Sequence, residues 1–255
     1  MEPVLTFDFW TVLYLLLAGF VGAFLDASVG GGGLITLPAY LSLGWPIPFC
    51  LGTNKAANGV CLCTSAYTYF RSGKVDPFVW RVLPCSFVAA VLGALAVYIV
   101  PPDILRSLVV GMLVFVGIYT FLKKDIGQVG DRPKAVNYKQ MLVLLAVGMG
   151  FYDGFFGPGS GMFYIFCYLL LGYDYVCASA NSKVMTSICM LAAILAFAYQ
   201  GSIIWSYAVI MAIGGIPGAI VGSKFVIKYG AKWIRPLFMA MVVIMIGKQV
   251  MELFK

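Results

Sequence analysis

The residues of this sequence that could do chemistry are two aspartates and two lysines set among apolar residues and glycines. Asp26 and Asp153 each stand just before a glycine cluster, and Lys55 and Lys183 each follow a cluster farther along the chain. Burying an ammonium group in a bilayer costs at least about 2.5 kcal/mol, so two lysines in apolar segments indicate a watery cavity or an anion. The pattern predicts a binding site for a small anion.

The glycine clusters would supply the hydrogen-bond donors of this site. Glycines in mid-membrane interrupt a helix and free backbone amides to meet a ligand, and a helix that starts there points its positive end at an anion. A sulfonate, sulfite or carboxylate group binds such a set of cations and donors. We predict that the substrate contacts Lys55, Lys183, Asn54, Asn181, Ser182, Gly30, Gly31, Gly32, Gly33, Gly157, Gly159, Ser160 and Gly161.

A purely structural role is the alternative for each of these features. The lysines could snorkel to the membrane interface or neutralise Asp26 and Asp153 in ion pairs, and the glycines could merely allow close helix packing. In a transporter, Asp26 and Asp153 are the candidates for carrying a coupling proton, because a buried carboxyl group can exchange one. Sodium coupling and facilitated diffusion stay open at this point.

Composition predicts an integral membrane protein that crosses the bilayer several times. The chain has 255 residues, 62% of them hydrophobic and 11% charged, and its mean hydropathy is +0.97, whereas a soluble domain carries about a quarter charged residues. In such a protein the net charge of +7 indicates which connections lie in the cytoplasm and does not indicate nucleic-acid binding. Histidine and CxxC pairs are absent, so we expect no metal and no cofactor. We also expect no cleavable signal peptide, because no basic residue precedes Lys55.

The apolar segments predict an all-α bundle of eight spans and two short half-helices, because a span needs about 20 residues. The half-helices follow the glycine clusters, at Leu34–Leu43 and Met162–Leu171. If these two segments crossed completely with tilt, the chain would have ten spans. The predicted spans are Trp10–Val29, Leu51–Phe70, Phe78–Val100, Ile104–Leu122, Met141–Phe156, Val176–Tyr199, Trp205–Val226 and Ile234–Phe254.

The two halves of the chain repeat one another. Beyond the glycine clusters, landmarks align at a constant offset of 128 residues, so that Gly33 matches Gly161 and Lys55 matches Lys183. An internal repeat of this kind is a recurring plan of membrane transporters. We predict an amino-terminal repeat at 1–122, a cytoplasmic linker at 123–139 and a carboxy-terminal repeat at 140–255.

Basic residues set the predicted orientation, since connections rich in Lys and Arg stay in the cytoplasm. Most of the 17 basic residues fall in three connections, near Lys74, in the linker and near Lys228. Placing these connections inside puts the amino terminus outside the cell membrane. Each half then has a broken hairpin followed by an odd number of further crossings, so the two halves are predicted to be inverted.

Several motifs resemble the TauE/SafE family of sulfite and organosulfonate exporters. They are Gly22–Asp26, Gly30–Pro38 and Gly52–Lys55 in the first half, and Gly150–Gly161 and Asn181–Lys183 in the second. The likeness extends over nearly the whole chain and is greatest to the subgroup described as probable membrane transporters. This resemblance implies transport of sulfur-containing or other small organic anions across the cytoplasmic membrane.

These observations predict a secondary transporter, not an enzyme, that moves a small anion by alternating access between the two halves. Its expected partners are the substrate anion, H⁺ or Na⁺ as coupling ion, and the lipid bilayer. Nucleic acid is not expected, and a homo-oligomer stays open. An anion channel would share the same polar site. The other alternative is a membrane thiol–disulfide electron carrier that uses Cys61 and Cys189, which occupy matching repeat positions.

Overall fold

The fold is helical throughout the part of the chain that the computed structural model describes, which is residues 8–96, 137–155, 157, 159–230, 236, 240 and 243. This confirms the predicted all-α class. The predicted span Ile104–Leu122, most of the span at 234–254 and the linker up to residue 136 lie outside the described residues. The helices with described bounds are α1 (Phe9–Val29), α2 (Gly33–Leu41), α3 (Ile47–Arg71), α4 (Val79–Ala96), α5 (Tyr138–Phe155), α6 (Ser160–Leu170), α7 (Tyr175–Tyr199) and α8 (Trp205–Tyr229).

Four of the described helices, α1, α4, α7 and α8, are long and apolar enough to cross a membrane. Helix α3 is as long as α7, at 25 residues, but Asn54, Lys55 and Asn58 make it more polar. At 1.5 Å per residue both helices measure about 37 Å, which exceeds the roughly 30 Å of a hydrocarbon core. The protein is therefore a helical membrane protein with several spans, as its composition predicts.

Both glycine clusters interrupt the helices where the sequence predicts a break. Helix α1 ends at Gly30, whose φ of 83° is a left-handed conformation that suits glycine. The second break contains Gly157 and Gly159, with φ of 86° and 78°. The short helices after the breaks, α2 and α6, have 9 and 11 residues. At about 14 and 17 Å, neither is long enough to span a bilayer.

The starts of several helices have identifiable causes, and two starts differ from the prediction by more than two residues. Helix α3 begins at Ile47, before the predicted span, because Pro48 is tolerated in the first turn of a helix. Helix α5 begins at Tyr138, so the last two residues of the predicted linker are helical. The carboxylate of Asp8 accepts the Thr11 N–H at 3.3 Å and caps α1. This hydrogen bond lowers the pKa of Asp8 below its ordinary value.

The helices pack by exchanging partners between the two halves of the chain. Helix α1 packs along α8, and α5 packs along α4, so the first helix of each half lies against the last described helix of the other. The α1–α8 pair approaches closely at Gly214, Gly218 and Gly222, one per turn of α8. A side-chain carbon at any of the three would overlap a backbone carbonyl of α1, which is the usual role of small residues between membrane helices.

Structural landmarks recur at the same offset as the sequence landmarks. The turns after α2 and α6 contain Gly44 and Gly172, with φ of 75° and 95°. The turns after α3 and α7 contain Gly73 and Gly201, with φ of 70° and 67°. Matching turns in matching places support a repeat. The domain boundaries and the inverted orientation stay predictions.

Candidate functional site

The two glycine loops contact each other directly. Gly30 lies so close to the backbone of Gly161 and Met162 that a side-chain carbon on Gly30 would overlap it. A side-chain carbon on Gly161 would in turn lie 2.9 Å from the Cα of Gly30, closer than carbon atoms pack. Because one loop comes from each half, the site at this contact is built by both halves together.

Each lysine reaches across to the aspartate of the other half. Lys55 on α3 donates a 2.8 Å hydrogen bond to the backbone carbonyl of Asp153, and its Nζ lies 3.6 Å from Asp153 Oδ1. Lys183 on α7 donates to Asp26 Oδ2 on α1 at 3.3 Å. The ion-pair alternative considered from the sequence thus describes the contacts of both lysines in this conformation. With all four groups ionised, their charges sum to zero.

The two ion pairs differ in exposure and in their remaining partners. The Asp26 side chain is 23% exposed and its Oδ1 accepts the Gly32 N–H at 3.3 Å. The Asp153 side chain is fully buried, and its Oδ1 accepts the Ser160 hydroxyl at 2.9 Å. Asp153 Oδ2 has no hydrogen-bond partner among the described residues. Gly32 and Ser160 occupy matching repeat positions. The donor to the aspartate Oδ1 is therefore a backbone N–H in the first loop and a side-chain hydroxyl group in the second.

A small cavity lies between the glycine loops and helices α3 and α7. It offers about 40 Å³ to the centres of water-sized molecules, and one water needs roughly 10–15 Å³ by this measure, so the cavity has room for a small ion. The predicted coupling residue Asp26 is part of its wall. The predicted substrate-binding residues in the wall are Gly30, Gly33, Asn54, Lys55, Gly157, Gly159, Ser160 and Gly161.

The other predicted site residues are not part of this wall. Lys183 is fully buried in its pair with Asp26. The hydroxyl group of Ser182 donates to the Gly161 carbonyl at 2.9 Å, which fixes the second loop against α7. The remaining predicted residues outside the wall are Gly31, Gly32, Asn181 and Asp153.

Asn181 holds a turn of the other half instead of facing the cavity. Its Oδ1 accepts the Asp76 N–H, in the turn between α3 and α4, at 2.8 Å. Thr53, which the sequence reasoning did not single out, occupies the matching position and accepts the Ile204 N–H, before α8, at 3.0 Å. Each of these residues lies two positions before a site lysine. The two hydrogen bonds therefore fix the positions of α3 and α7 against the opposite half.

Asn58 and Thr186 also line the cavity and are not among the site residues that the sequence predicts. The Asn58 Nδ2 donates to Thr36 Oγ1 at 2.9 Å and to Asn54 Oδ1 at 3.0 Å. A signal for both residues was available, because each lies about one turn after a site lysine at the same repeat offset. A polar residue on the face of the lysine in both halves indicates a shared polar lining.

The cysteines form neither a redox pair nor a metal site in the described part of the chain. Cys61 and Cys189 are both buried free thiols. Cys61 packs with Ala23 and Ala219, whereas Cys189 belongs to a separate cluster. No group of three or more cysteine and acidic side chains in the described ranges could hold a metal ion. Cys61 serves as a small apolar packing group, whereas the Cys189 thiol also shares a hydrogen bond with Ser86 Oγ at 3.0 Å.

The fold and the site define a multi-pass helical membrane protein with a small ionic cavity between two broken helices. Residues 15–248 match the family described as sulfite exporter TauE/SafE, and the chain belongs to this family. No solved structure gives a significant match to the chain.

Curated relatives cover nearly the whole chain. It is 36% identical over 241 residues to a probable membrane transporter protein of Haemophilus influenzae, covering 93% of this chain and 94% of the relative. It is 34% identical over 233 residues to the probable membrane transporter protein ORF9 of Sinorhizobium sp, covering 90% and 88%. It is also 34% identical over 240 residues to the probable membrane transporter protein YfcA of Escherichia coli strain K12, covering 92% and 87%. These names support a membrane transporter.

Proposed function

We propose that the protein is a secondary transporter that moves a small anion across the cell membrane, with sulfite, an organosulfonate or a related small carboxylate as substrate. The observation that carries the proposal is the ammonium group of Lys55, which lies in the wall of the cavity between the two glycine loops. An ionisable group inside a membrane bundle is a functional-site candidate by default. The family description supports a sulfur oxyanion as the substrate class.

The walls of the cavity supply donors that an oxyanion binds. Helix α6 begins at Ser160, and Gly159, Ser160 and Gly161 line the cavity. The Ser160 N–H already donates to the Gly157 carbonyl at 2.9 Å, so it is the positive dipole of the helix start that favours an anion there. Gly33, the first residue of α2, lines the same cavity. Two helix starts and the Lys55 ammonium group favour a compact anion in this cavity, and the Asp26 carboxylate in the same wall is paired with Lys183.

Charge balance links the anion to a coupling ion. An anion added to four ionised side chains of zero net charge would make the buried site negative, and an uncompensated buried charge is costly. A cation that enters with the anion removes this cost. We therefore include coupling to H⁺ in the proposal, with Asp26 and Asp153 as candidate carriers, and Na⁺ as the competing coupling ion.

We propose that the two halves alternate in opening this cavity to the two sides of the membrane, with the basic connections in the cytoplasm. Discontinuous helices around a central site are typical of transporters that work this way. Alternating access predicts saturable flux and counterflow of labelled against unlabelled anion. An anion channel predicts no counterflow, because labelled anion in a pore moves only down its own electrochemical gradient.

Lys55→Met tests the proposed site in proteoliposomes. A thermal-shift screen with sulfite, sulfate, taurine, sulfoacetate and acetate first identifies the probe anion. We expect Lys55→Met to lower counterflow of that anion about tenfold or more, because a hydrogen bond to a charged group contributes roughly 1.5–3 kcal/mol. The matched control is Lys224→Met, which removes an exposed lysine of α8 and should transport normally. Wild-type flux in a folded Lys55→Met protein would contradict the site, and anion flux without counterflow in the wild type would favour a channel.

A further inference from the structure

We infer that Asp153 carries the coupling proton, that Ser160 passes it from the cavity, and that Lys55 is thereby released to bind the anion, while Asp26 and Lys183 stay paired. This inference rests on the proposed anion transport. It goes beyond it by giving different roles to two carboxyl groups that the repeat would make equivalent.

Asp153 is the carboxyl group whose surroundings suit the neutral form. Its side chain is fully buried, and its Oδ2 has no hydrogen-bond partner among the described residues. Lys55 does not compensate it closely, because the lysine donates its hydrogen bond to the Asp153 backbone carbonyl and stays 3.6 Å from the carboxylate. A buried ionised carboxylate with one oxygen unpaired is costly. A proton on Asp153 removes that cost.

Asp26 is the carboxyl group whose surroundings suit the ionised form. Each of its oxygens accepts a hydrogen bond, Oδ1 from Gly32 and Oδ2 from Lys183. Protonating Asp26 would leave the ammonium group of Lys183 without its counter-charge at a position with no exposure. Protonating Asp153 has a different consequence, because Lys55 lines the cavity, where an anion can replace the carboxylate. Of the two pairs, only Lys55 and Asp153 can therefore release an ammonium group to the cavity.

Ser160 provides the route between the cavity and the buried carboxylate. It lines the cavity, and its hydroxyl donates to Asp153 Oδ1. A hydronium ion in the cavity can give a proton to Ser160 Oγ while Ser160 gives its own proton to Asp153 Oδ1. Water and an intact serine remain, and the carboxyl group becomes neutral. The matching residue of the first loop is Gly32, which has no side chain to do this.

Other titratable groups near Asp153 do not offer a competing carrier in the described part of the chain. The titratable groups near it are Lys55 on α3, Asp26 on α1, Tyr152 on α5, Tyr164 on α6 and Cys189 on α7. Helix α4, which packs along α5, approaches next to Asp153 through Ala90 against Gly154. If Asp153 takes the proton when Lys55 binds the anion, both bind in the same step of the transport cycle. The transporter would then carry the anion and the proton in the same direction.

The test compares pH-driven uptake with counterflow of radiolabelled sulfite in proteoliposomes. For the wild type, an acidic exterior should accelerate uptake, whereas counterflow without a gradient reports the anion step alone. We expect Asp153→Asn to lose the acceleration by the pH gradient, so that the ratio of driven uptake to counterflow falls about tenfold. Ser160→Ala should lower the same ratio by slowing proton entry. Asp26→Asn should keep the ratio while lowering the melting temperature.

The controls separate this inference from the proposed function. Ser72→Ala removes the serine hydroxyl that donates to the Tyr69 carbonyl at the end of α3, away from the cavity, and should leave both rates unchanged. Loss of the pH response in Asp26→Asn, or a normal response in Asp153→Asn, overturns the inference. If Asp153→Asn does not fold, Ser160→Ala decides, and an unchanged ratio there overturns it. Wild-type sulfite counterflow without any pH response overturns the coupling alone, whereas absence of counterflow with every anion of the screen overturns the proposed function.

Discussion

At the scale of single residues, Lys55 and Lys183 show how a repeat produces unequal groups from equal positions. Both are buried on the 25-residue helix that follows the short helix of their half, and both meet an aspartate of the other half. Only Lys55 lines the cavity. The aspartates that they meet also have different neighbours, because Ser160 donates to Asp153 where the first loop has Gly32. A side chain therefore has to be judged by its contacts even where the sequence alignment makes it equivalent to another.

Lys183→Met tests the structural role of the second pair. Removing the ammonium group leaves the Asp26 carboxylate in a largely buried place, and breaking a buried pair from one side costs about 3 kcal/mol. We expect a lower apparent melting temperature in detergent for Lys183→Met. Adding Asp26→Asn to the same protein should recover most of that loss, because no charge is then left unpaired. A double variant as unstable as the single one would contradict the pairing.

At the scale of helices, the sequence predicts the breaks well because backbone chemistry is local. The φ values of Gly30 and Gly157 follow from glycine itself, and the short helices follow from the apolar lengths between polar turns. The cross-pairing of Lys55 with Asp153 does not follow, because the two residues are 98 positions apart and nothing local says which carboxylate a lysine reaches. The same limit explains why Asn181, predicted to contact substrate, binds a turn through Asp76.

Gly218→Leu tests the close packing of α1 against α8. A side chain at this position would overlap the backbone carbonyl of Phe20, and overpacking of a tight contact costs roughly 1–3 kcal/mol or more. We expect a clear fall in the yield of folded protein and in its melting temperature. Ile213→Leu on the same helix is the control, because Ile213 is exposed on the surface that we expect to face lipid. Equal stability of the two variants would show that the helices are farther apart than described.

At the scale of the whole molecule, the described helices of the two predicted repeats pack against each other. Helix α1 needs α8, and α5 needs α4, so a cut in the linker would separate partners that bury each other's surfaces. The predicted inversion of the halves belongs to this scale as well. The prediction of inverted halves depends on which connections between helices are rich in Lys and Arg, and not on any single contact.

Cysteine labelling at matching positions tests the inversion. Ser72 and Gln200 are related by the repeat offset and lie at the ends of α3 and α7. In a background without native cysteines, an impermeant thiol reagent added to intact cells should label Gln200→Cys, whereas Ser72→Cys should react only after the cells are opened. Labelling of both from the same side would rule out inverted halves.

The crossed ion pairs also constrain how the protein is made. Lys55 has to wait for Asp153, which is translated 98 residues later, and at about 5–20 residues per second this delay lasts roughly 5–20 s. During that time α3 carries an uncompensated ammonium group, which disfavours its release into lipid. The delay before Asp26 can meet its partner is longer, since Lys183 is translated 157 residues later. Membrane insertion of the first half is therefore expected to stay incomplete, with α3 held by the insertion machinery, until the second half arrives to supply its counter-charge.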